Sequence, residues 1–359
     1  MPDTACLPII EKLNSRVTDM IRIGIIGFGF MGRTHYRCWK ALKDVDIVAI
    51  CEINPKIAED AKKSIGNIGR TKEEVDFSSL QLYTDIKEML EKEKLDAVSI
   101  TLPTYLHADT SIQALAAGVH VLCEKPMALN IEDCRRMIDE ADRSRKILQI
   151  GHCVRFWPEY ATARDIIENG KYGKVVAASF QRLGAMPAWS ANNWLMDEKR
   201  SGGMALDLHI HDTDFIQYLF GLPHAVYSTG AKNENSKLVH IVTQYLYDDD
   251  KVVTAEGGWS MTPTFGFQMS FNIALEKATL VYDLTRKPTF RLCPADAEAF
   301  TPEFNEADGW SVEIEHFAKA IRGEKPEQVT TLEQSMNSVK IVEAEKESAE
   351  KMEKVMMYR

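Results

Sequence analysis

The sequence predicts an α/β chain in two parts. A doubly wound parallel sheet spans about residues 21–150, and an α+β unit with a large open, mainly antiparallel sheet spans 151–359. Short apolar, β-branched runs alternate with helical stretches through the first part, the pattern of parallel strands joined by crossover helices. In the second part, strand follows strand with only turns between. At 359 residues the chain also exceeds the roughly 250 that one hydrophobic core serves.

Residues 1–20 carry no regular pattern and read as an N-terminal extension. A strand over 21–26 ends at Gly27, a helix over 31–42 follows, and 45–51 is the next strand. Helices are expected at 55–63 and 86–92, then a buried strand over 95–102 that stops at Pro103. The helix 109–117 ends at Gly118, a suitable residue for a left-handed cap, before the strand 119–123. A helix over 131–145 and a strand over 147–151 close this part.

In the second part, strands are expected at 175–183, 239–247, 252–259 and 267–275, and helices at 158–169, 205–220, 312–321 and 332–346. The terminal helix is placed to pack back on the first domain. Asp248, Asp249 and Asp250 lie between two strands, as a solvated hairpin turn does. A sheet covered on one face leaves the other to solvent or to a second subunit. Tyr245, Tyr247 and Trp259 are expected on that free face, which favours a homodimer or homotetramer.

The net charge of −10, from 43 basic and 53 acidic residues, repels nucleic acid and anionic membranes and leaves a small molecule as the expected partner. Seven cysteines without a C-x-x-C pair suit a reducing cytosol. No apolar run reaches the roughly 18 residues of a membrane span, and no signal-peptide pattern opens the sequence, so a cytoplasmic protein is expected.

Gly27-Phe28-Gly29-Phe30-Met31-Gly32 is a G-x-G-x-x-G between a strand and a helix, the context in which that pattern binds a dinucleotide. Gly27 permits the turn, Gly29 lets backbone approach pyrophosphate, and Gly32 brings helix and strand together. Glu52 lies 20 residues past Gly32 at the end of the second strand, where a carboxylate accepts from the adenosine ribose hydroxyls. A 2′-phosphate would meet that charge, so NAD is favoured over NADP, although Arg33 and Lys56 stand near enough to temper the preference.

Glu124-Lys125-Pro126 follows the strand 119–123, and ligands of open α/β sheets bind outside such strand ends. There the Lys125 ammonium can stabilise the alkoxide character that develops on a substrate hydroxyl as hydride leaves. Asp207 and His211 are four residues apart and share one helix face; the imidazole suits removal of a hydroxyl proton, and the carboxylate orients it or holds substrate. His209 and His211 point in different directions on a helix, and no spacing elsewhere supplies three metal ligands, so no metal is expected.

In this order, G-x-G-x-x-G, an acid after strand two, E-K-P and G-G-x-x-x-D-x-x-x-H resemble the Gfo/Idh/MocA oxidoreductases. Thr101-Leu102-Pro103 with His107, Arg155-Phe156, Trp194 and the segment from His316-Phe317 to Gly323 extend the likeness from Ile21 to the C-terminus. The resemblance implies a Rossmann domain, bound NAD(P), and oxidation of a sugar or inositol carbinol or the reverse. It implies that Lys125 stands beside the nicotinamide, with a cis Lys125-Pro126 bond, that His211 is the acid/base and that Asp207 positions substrate. Thr101, Pro103, His107 and Glu124 join the glycine loop and Glu52 in the expected cofactor site. Arg155, Trp194, Asp207, His209 and His211 form the expected substrate site. Leu195 departs from the arginine that relatives often carry, and His209 from a small residue. Trp189 and Trp194 are candidates to stack on a pyranose face.

Two rival functions stand beside this one. One is an NAD-dependent hydrolase or lyase that oxidises a ring transiently. The other is a non-catalytic NAD-binding regulator, which would be expected to lack Lys125 or His211.

Overall fold

The computed structural model describes residues 20–54, 56, 75–187, 190–304 and 307–358. The helix expected at 55–63 lies outside the described residues except for Lys56, as do Trp189 and nearly all of the N-terminal extension.

Six parallel strands form the first sheet: β1 (Ile21–Ile26), β2 (Val45–Cys51), β3 (Gln81–Tyr83), β4 (Ala97–Ile100), β5 (His120–Glu124) and β6 (Leu148–Gly151). Their order is β3-β2-β1-β4-β5-β6, the doubly wound arrangement, with the reversal between β1 and β4 opening a crevice at the strands' carboxyl ends. Ile23, Ile25, Val98, Ile100, Val121 and Leu122 are fully buried because helices cover both faces. On one face, Trp39 of helix Phe30–Lys40 meets Phe317 of helix Gly309–Ile321 edge-on at 6.2 Å, and its indole N–H donates to Ser99 Oγ at 2.8 Å. On the other face, Val339 and Val342 of the terminal helix Leu332–Lys351 join the core of the first sheet. β3 is a three-residue edge strand with too few residues to show a sequence period.

The second sheet has eight strands: β7 (Val175–Ala185), β8 (Ala225–Lys232), β9 (Leu238–Leu246), β10 (Val252–Met261), β11 (Phe267–Leu275), β12 (Ala278–Asp283), β13 (Phe290–Pro294) and β14 (Val355–Met356). The order is β13-β12-β11-β7-β10-β9-β8-β14. All neighbours are antiparallel except β7 and β10, whose parallel pairing joins two antiparallel halves at the middle of the sheet. The acidic triplet occupies the turn between β9 and β10.

The open face differs in composition from the expectation. Tyr245 and Trp259 are buried on the helix side, and Tyr247 packs on Phe220. Side chains alternate along a strand, so the odd-numbered residues 241, 243 and 245 of β9 face inward and Val242 and Gln244 face out. The free face carries Tyr227, Val242, Val252 and Val176 instead.

Candidate functional site

The glycine loop is built by close approach. Gly27 has φ of 85°, and a Cβ there would lie 2.9 Å from the Thr101 carbonyl oxygen. A Cβ on Gly32 would lie 2.3 Å from the Gly27 carbonyl oxygen, so only glycine lets the helix start against the loop. Thr101 Oγ1 donates to that same carbonyl at 2.7 Å and ties β4 to the loop. Around Gly29 the direction of a Cβ is open, with nothing within 4 Å, leaving a cradle where a phosphate can reach the backbone. Among the described residues no side chain caps the helix Phe30–Lys40, and no acid stands in its first turn, so its positive end faces the cradle.

Glu52 closes the loop from the side. Its Oε2 accepts the Phe28 N–H at 2.8 Å and its Oε1 the Asn54 N–H at 3.0 Å. The Phe28 ring itself turns into the core against Tyr36 and Phe77, so Phe28 offers the cradle backbone only, while Phe30 and Met31 stay partly exposed beside it.

Across the crevice, Lys125 sits just past β5. Its ammonium donates to the Asp207 carbonyl at 2.9 Å and to Asp207 Oδ1 at 3.2 Å. The Lys125-Pro126 bond is cis. Asp207 belongs to a π-helical turn, Ala205–His209, which runs into the helix Ile210–Phe220 that carries His211. The His211 ring is half-buried, with its Nδ1 enclosed and without a hydrogen-bond partner among the described residues. Burial, with the charges of Lys125 and Arg182, holds it well below the usual imidazole range. At neutral pH it is therefore a neutral imidazole, able to accept a proton.

Several expected site residues serve elsewhere. The Arg155 side chain is buried, bidentate to Asp214 at 2.7 and 2.8 Å, and bonded to Gln334 Oε1 and the Val329 carbonyl, so it fastens the domain core and does not face the crevice. His209 points the opposite way from His211, as residues two apart on a helix must. It lies fully buried, 3.5 Å from Glu345 Oε2 and from the Tyr245 hydroxyl, and against Gly257. Burial pushes His209 down to about 3 and Glu345 up to about 8, so at neutral pH this is a contact between neutral groups.

His107 is also buried. Its two ring nitrogens lie 2.8 Å from the Pro126 and Leu102 carbonyls, strapping together the loops after β4 and β5. The Glu124 carboxylate bonds His35 Nε2 at 3.0 Å beneath Lys125. His107 and Glu124 thus shape the crevice from below, as Thr101 does from the side. Pro103, partly exposed, begins the turn Thr104–Leu106 at the crevice rim. Trp194 is half-buried on a small cluster with Leu195, Met204, Leu208 and Trp259, and Leu195 is inside that cluster. Sequence reasoning passed over His152, a buried histidine directly after β6, because a histidine at a strand end has no periodic or spacing signal.

Comparison with known proteins fits this geometry. A family model described as GFO_IDH_MocA, oxidoreductase family, NAD-binding Rossmann fold, matches residues 21–152, and the model of the same family's C-terminal domain matches 160–281. The chain belongs to the Gfo/Idh/MocA family. A myo-inositol 2-dehydrogenase of Thermotoga maritima is 32% identical to this Gfo/Idh/MocA chain over 203 residues, 56% of this chain and 55% of that protein. A 2,7-anhydro-N-acetylneuraminate hydratase of Mediterraneibacter gnavus is 31% identical over 57% of this chain and 51% of that protein. The chain thus spans about half the length of the first curated relatives it matches. Among solved structures, a levoglucosan dehydrogenase in complex with NADH and levoglucosan shares the fold at a TM-score of 0.79 and 21% identity, over 94% of this chain and all of that one. A myo-inositol 2-dehydrogenase of Lactobacillus plantarum aligns at a TM-score of 0.75 and 25% identity, over 94% and 99%.

Within this Gfo/Idh/MocA chain, no group of three His, Cys, Asp or Glu side chains among the described residues is arranged to hold a metal ion. No helix among them is long and apolar enough to cross a membrane. The open cradle at Gly29, the positive helix end and the Glu52 carboxylate beside it fit a dinucleotide.

Proposed function

We propose that this protein is an NAD-dependent oxidoreductase that moves hydride between the nicotinamide and a ring carbinol of a sugar, glycoside or cyclic polyol. The observation that carries the reading is the Lys125 ammonium, held by the carbonyl and carboxylate of Asp207 one helical turn from a neutral His211. The family, and the inositol and levoglucosan dehydrogenases among its relatives, support the substrate class.

Each residue has a distinct part. The backbone of Gly27 to Gly32, with Phe28, Phe30 and Met31, takes the pyrophosphate, and Glu52 takes the ribose hydroxyls and disfavours a 2′-phosphate. Thr101, Pro103, His107 and Glu124 fix the loops that frame the nicotinamide half. When bound, NAD supplies the hydride acceptor. His211 removes the hydroxyl proton, Lys125 stabilises the negative charge growing on that oxygen, and Asp207 orients Lys125 and a second hydroxyl. Trp194 lines the outer wall.

A panel of sugars, polyols and glycosides, read for NADH absorbance and released product together, tests the reading. NADH formed in proportion to substrate supports a dehydrogenase. Two relatives named as hydratases favour a second reading, in which the ring is oxidised only transiently. Conversion without NADH accumulation would select it. We further propose a cytoplasmic homodimer or homotetramer that meets through the open sheet face at Tyr227, Val242, Val252 and Val176, exposed apolar side chains on four adjoining strands. A monomer in light scattering at micromolar concentration would rule that assembly out.

A further inference from the structure

His152 enters the site from two directions. Glu124 and Gly151 are partners in the β5–β6 register, so the residues that follow them, Lys125 and His152, leave adjacent strands side by side. Its Nδ1 lies 3.4 Å from Asp214 Oδ2, and Asp214 is three residues beyond His211 on one helix, where such residues share a face with Cβ atoms about 5–6 Å apart. His152 therefore sits between the end of β5 and the helix face that carries His211.

The hydrogen-bonding needs of the two imidazoles are complementary. His152 is 1% exposed, and among the described residues neither of its ring nitrogens forms a hydrogen bond, although Nδ1 faces Asp214 Oδ2 at 3.4 Å. Asp214 is held by Arg155 and Ser338 and, as a carboxylate, only accepts, so the His152 nitrogen facing it carries the proton and Nε2 keeps the lone pair. His211 has the opposite need, since its buried Nδ1 lacks a partner while its other edge meets the crevice. Buried polar atoms of this kind are paired directly or through a water with polar neighbours.

We propose that His152 is a positioning residue: one bridging water accepts the Nδ1–H of His211 and donates to His152 Nε2, which leaves His211 Nε2 as the lone pair that faces the substrate. The charged groups around His152 are Asp214 from the helix, Arg155 from its own turn, and Lys125 and Glu124 from β5. Burial holds it down to about 4, so it stays neutral and keeps that acceptor at working pH. The inference rests on the reading of His211 as the base, and its test has a readout that does not need turnover.

The test is two-bond nitrogen–proton NMR of the histidine rings in the full-length protein, compared with His152→Asn and His152→Gln. Asn keeps a donor for Asp214 but removes the Nε2 acceptor, whereas Gln places an amide oxygen near the Nε2 position. The expected result is a single Nδ1–H tautomer for His211 in the parent protein, mixed tautomers in His152→Asn, and restoration in His152→Gln. A His211 tautomer ratio unchanged in His152→Asn, or already mixed in the parent, overturns the proposal. Where a substrate turns over, His152→Asn should lower kcat about tenfold with KM unchanged and NADH affinity retained. An unchanged kcat also overturns it. If no sugar or polyol is converted by the parent protein, the functional reading fails, and the tautomer measurement still decides the role of His152.

Discussion

Lys125 Nζ donates to both the backbone carbonyl and the carboxylate of Asp207, at 2.9 and 3.2 Å. A strand end of the first sheet is thereby fastened to a π-helical turn beside the second. The two donations fix the lysine's direction, and the ammonium has a third N–H for a substrate oxygen.

Lys125→Ala removes that charge from the crevice without touching the glycine loop. Turnover is expected to fall about 10²–10⁴-fold while NAD affinity, read by fluorescence titration, stays within a few fold. A fully active variant would remove Lys125 from the chemistry.

Glu52→Ala takes away the acceptor of the Phe28 and Asn54 N–H groups together with the charge that meets a 2′-phosphate. NAD binding should weaken and discrimination against NADP relax, each measurable as the ratio of kcat/KM for the two cofactors. An unchanged ratio would place the ribose contact elsewhere.

Arg155→Ala leaves Asp214 buried without its bidentate partner and is expected to destabilise by about 3–5 kcal/mol in denaturant titration. This separates the structural role seen here from direct substrate binding, which would raise KM with stability intact.

His152 and His209 each cost the folded state stability as acid is added below pH 6.5. Burial holds His152 at about 4 and His209 at about 3, against the usual imidazole value of about 6.5. Between those values the unfolded chain takes up protons that the folded chain refuses, so the folded state loses ground as pH drops through the window. Between pH 6.5 and 4.5 calorimetry should show a larger fall in Tm for the parent protein than for His209→Gln, which lacks one of the two titrating rings, and an equal fall would contradict this burial.

Glu345 has the opposite sign. Its folded value of about 8 means that the folded chain keeps a proton the unfolded chain releases above about 4.5, so this residue costs stability as pH rises from 4.5 to 8. Glu345→Gln retains an acceptor for Thr213 Oγ1 and carries no titrating proton. It should stabilise relative to the parent by on the order of 1–3 kcal/mol more at pH 8.5 than at pH 5, measured by denaturant midpoint.

What was legible in the sequence is local or periodic. The strand-turn-helix around Gly27 to Gly32 shows itself because only glycine tolerates the contacts there, and the alternation of strand and helix fixes the doubly wound sheet. Lys125, Asp207 and His211 were found by their position after a strand and along a helix, and the fold brings the first two into contact while the third lies one turn on. The sequence alone therefore determined the fold class, the glycine loop and the family. Only the tertiary structure decided which polar residues face the crevice. Arg155, His209 and His107 carry the same chemistry in the sequence as site residues do, yet their partners, Asp214, Glu345 and the Pro126 carbonyl, come from distant segments or the opposite face of a helix. His152 gains its place from strand register, and the inward turn of Tyr245 from the two-residue period of β9. Direction and long-range partnership are properties of packed elements, and no spacing along the chain encodes them.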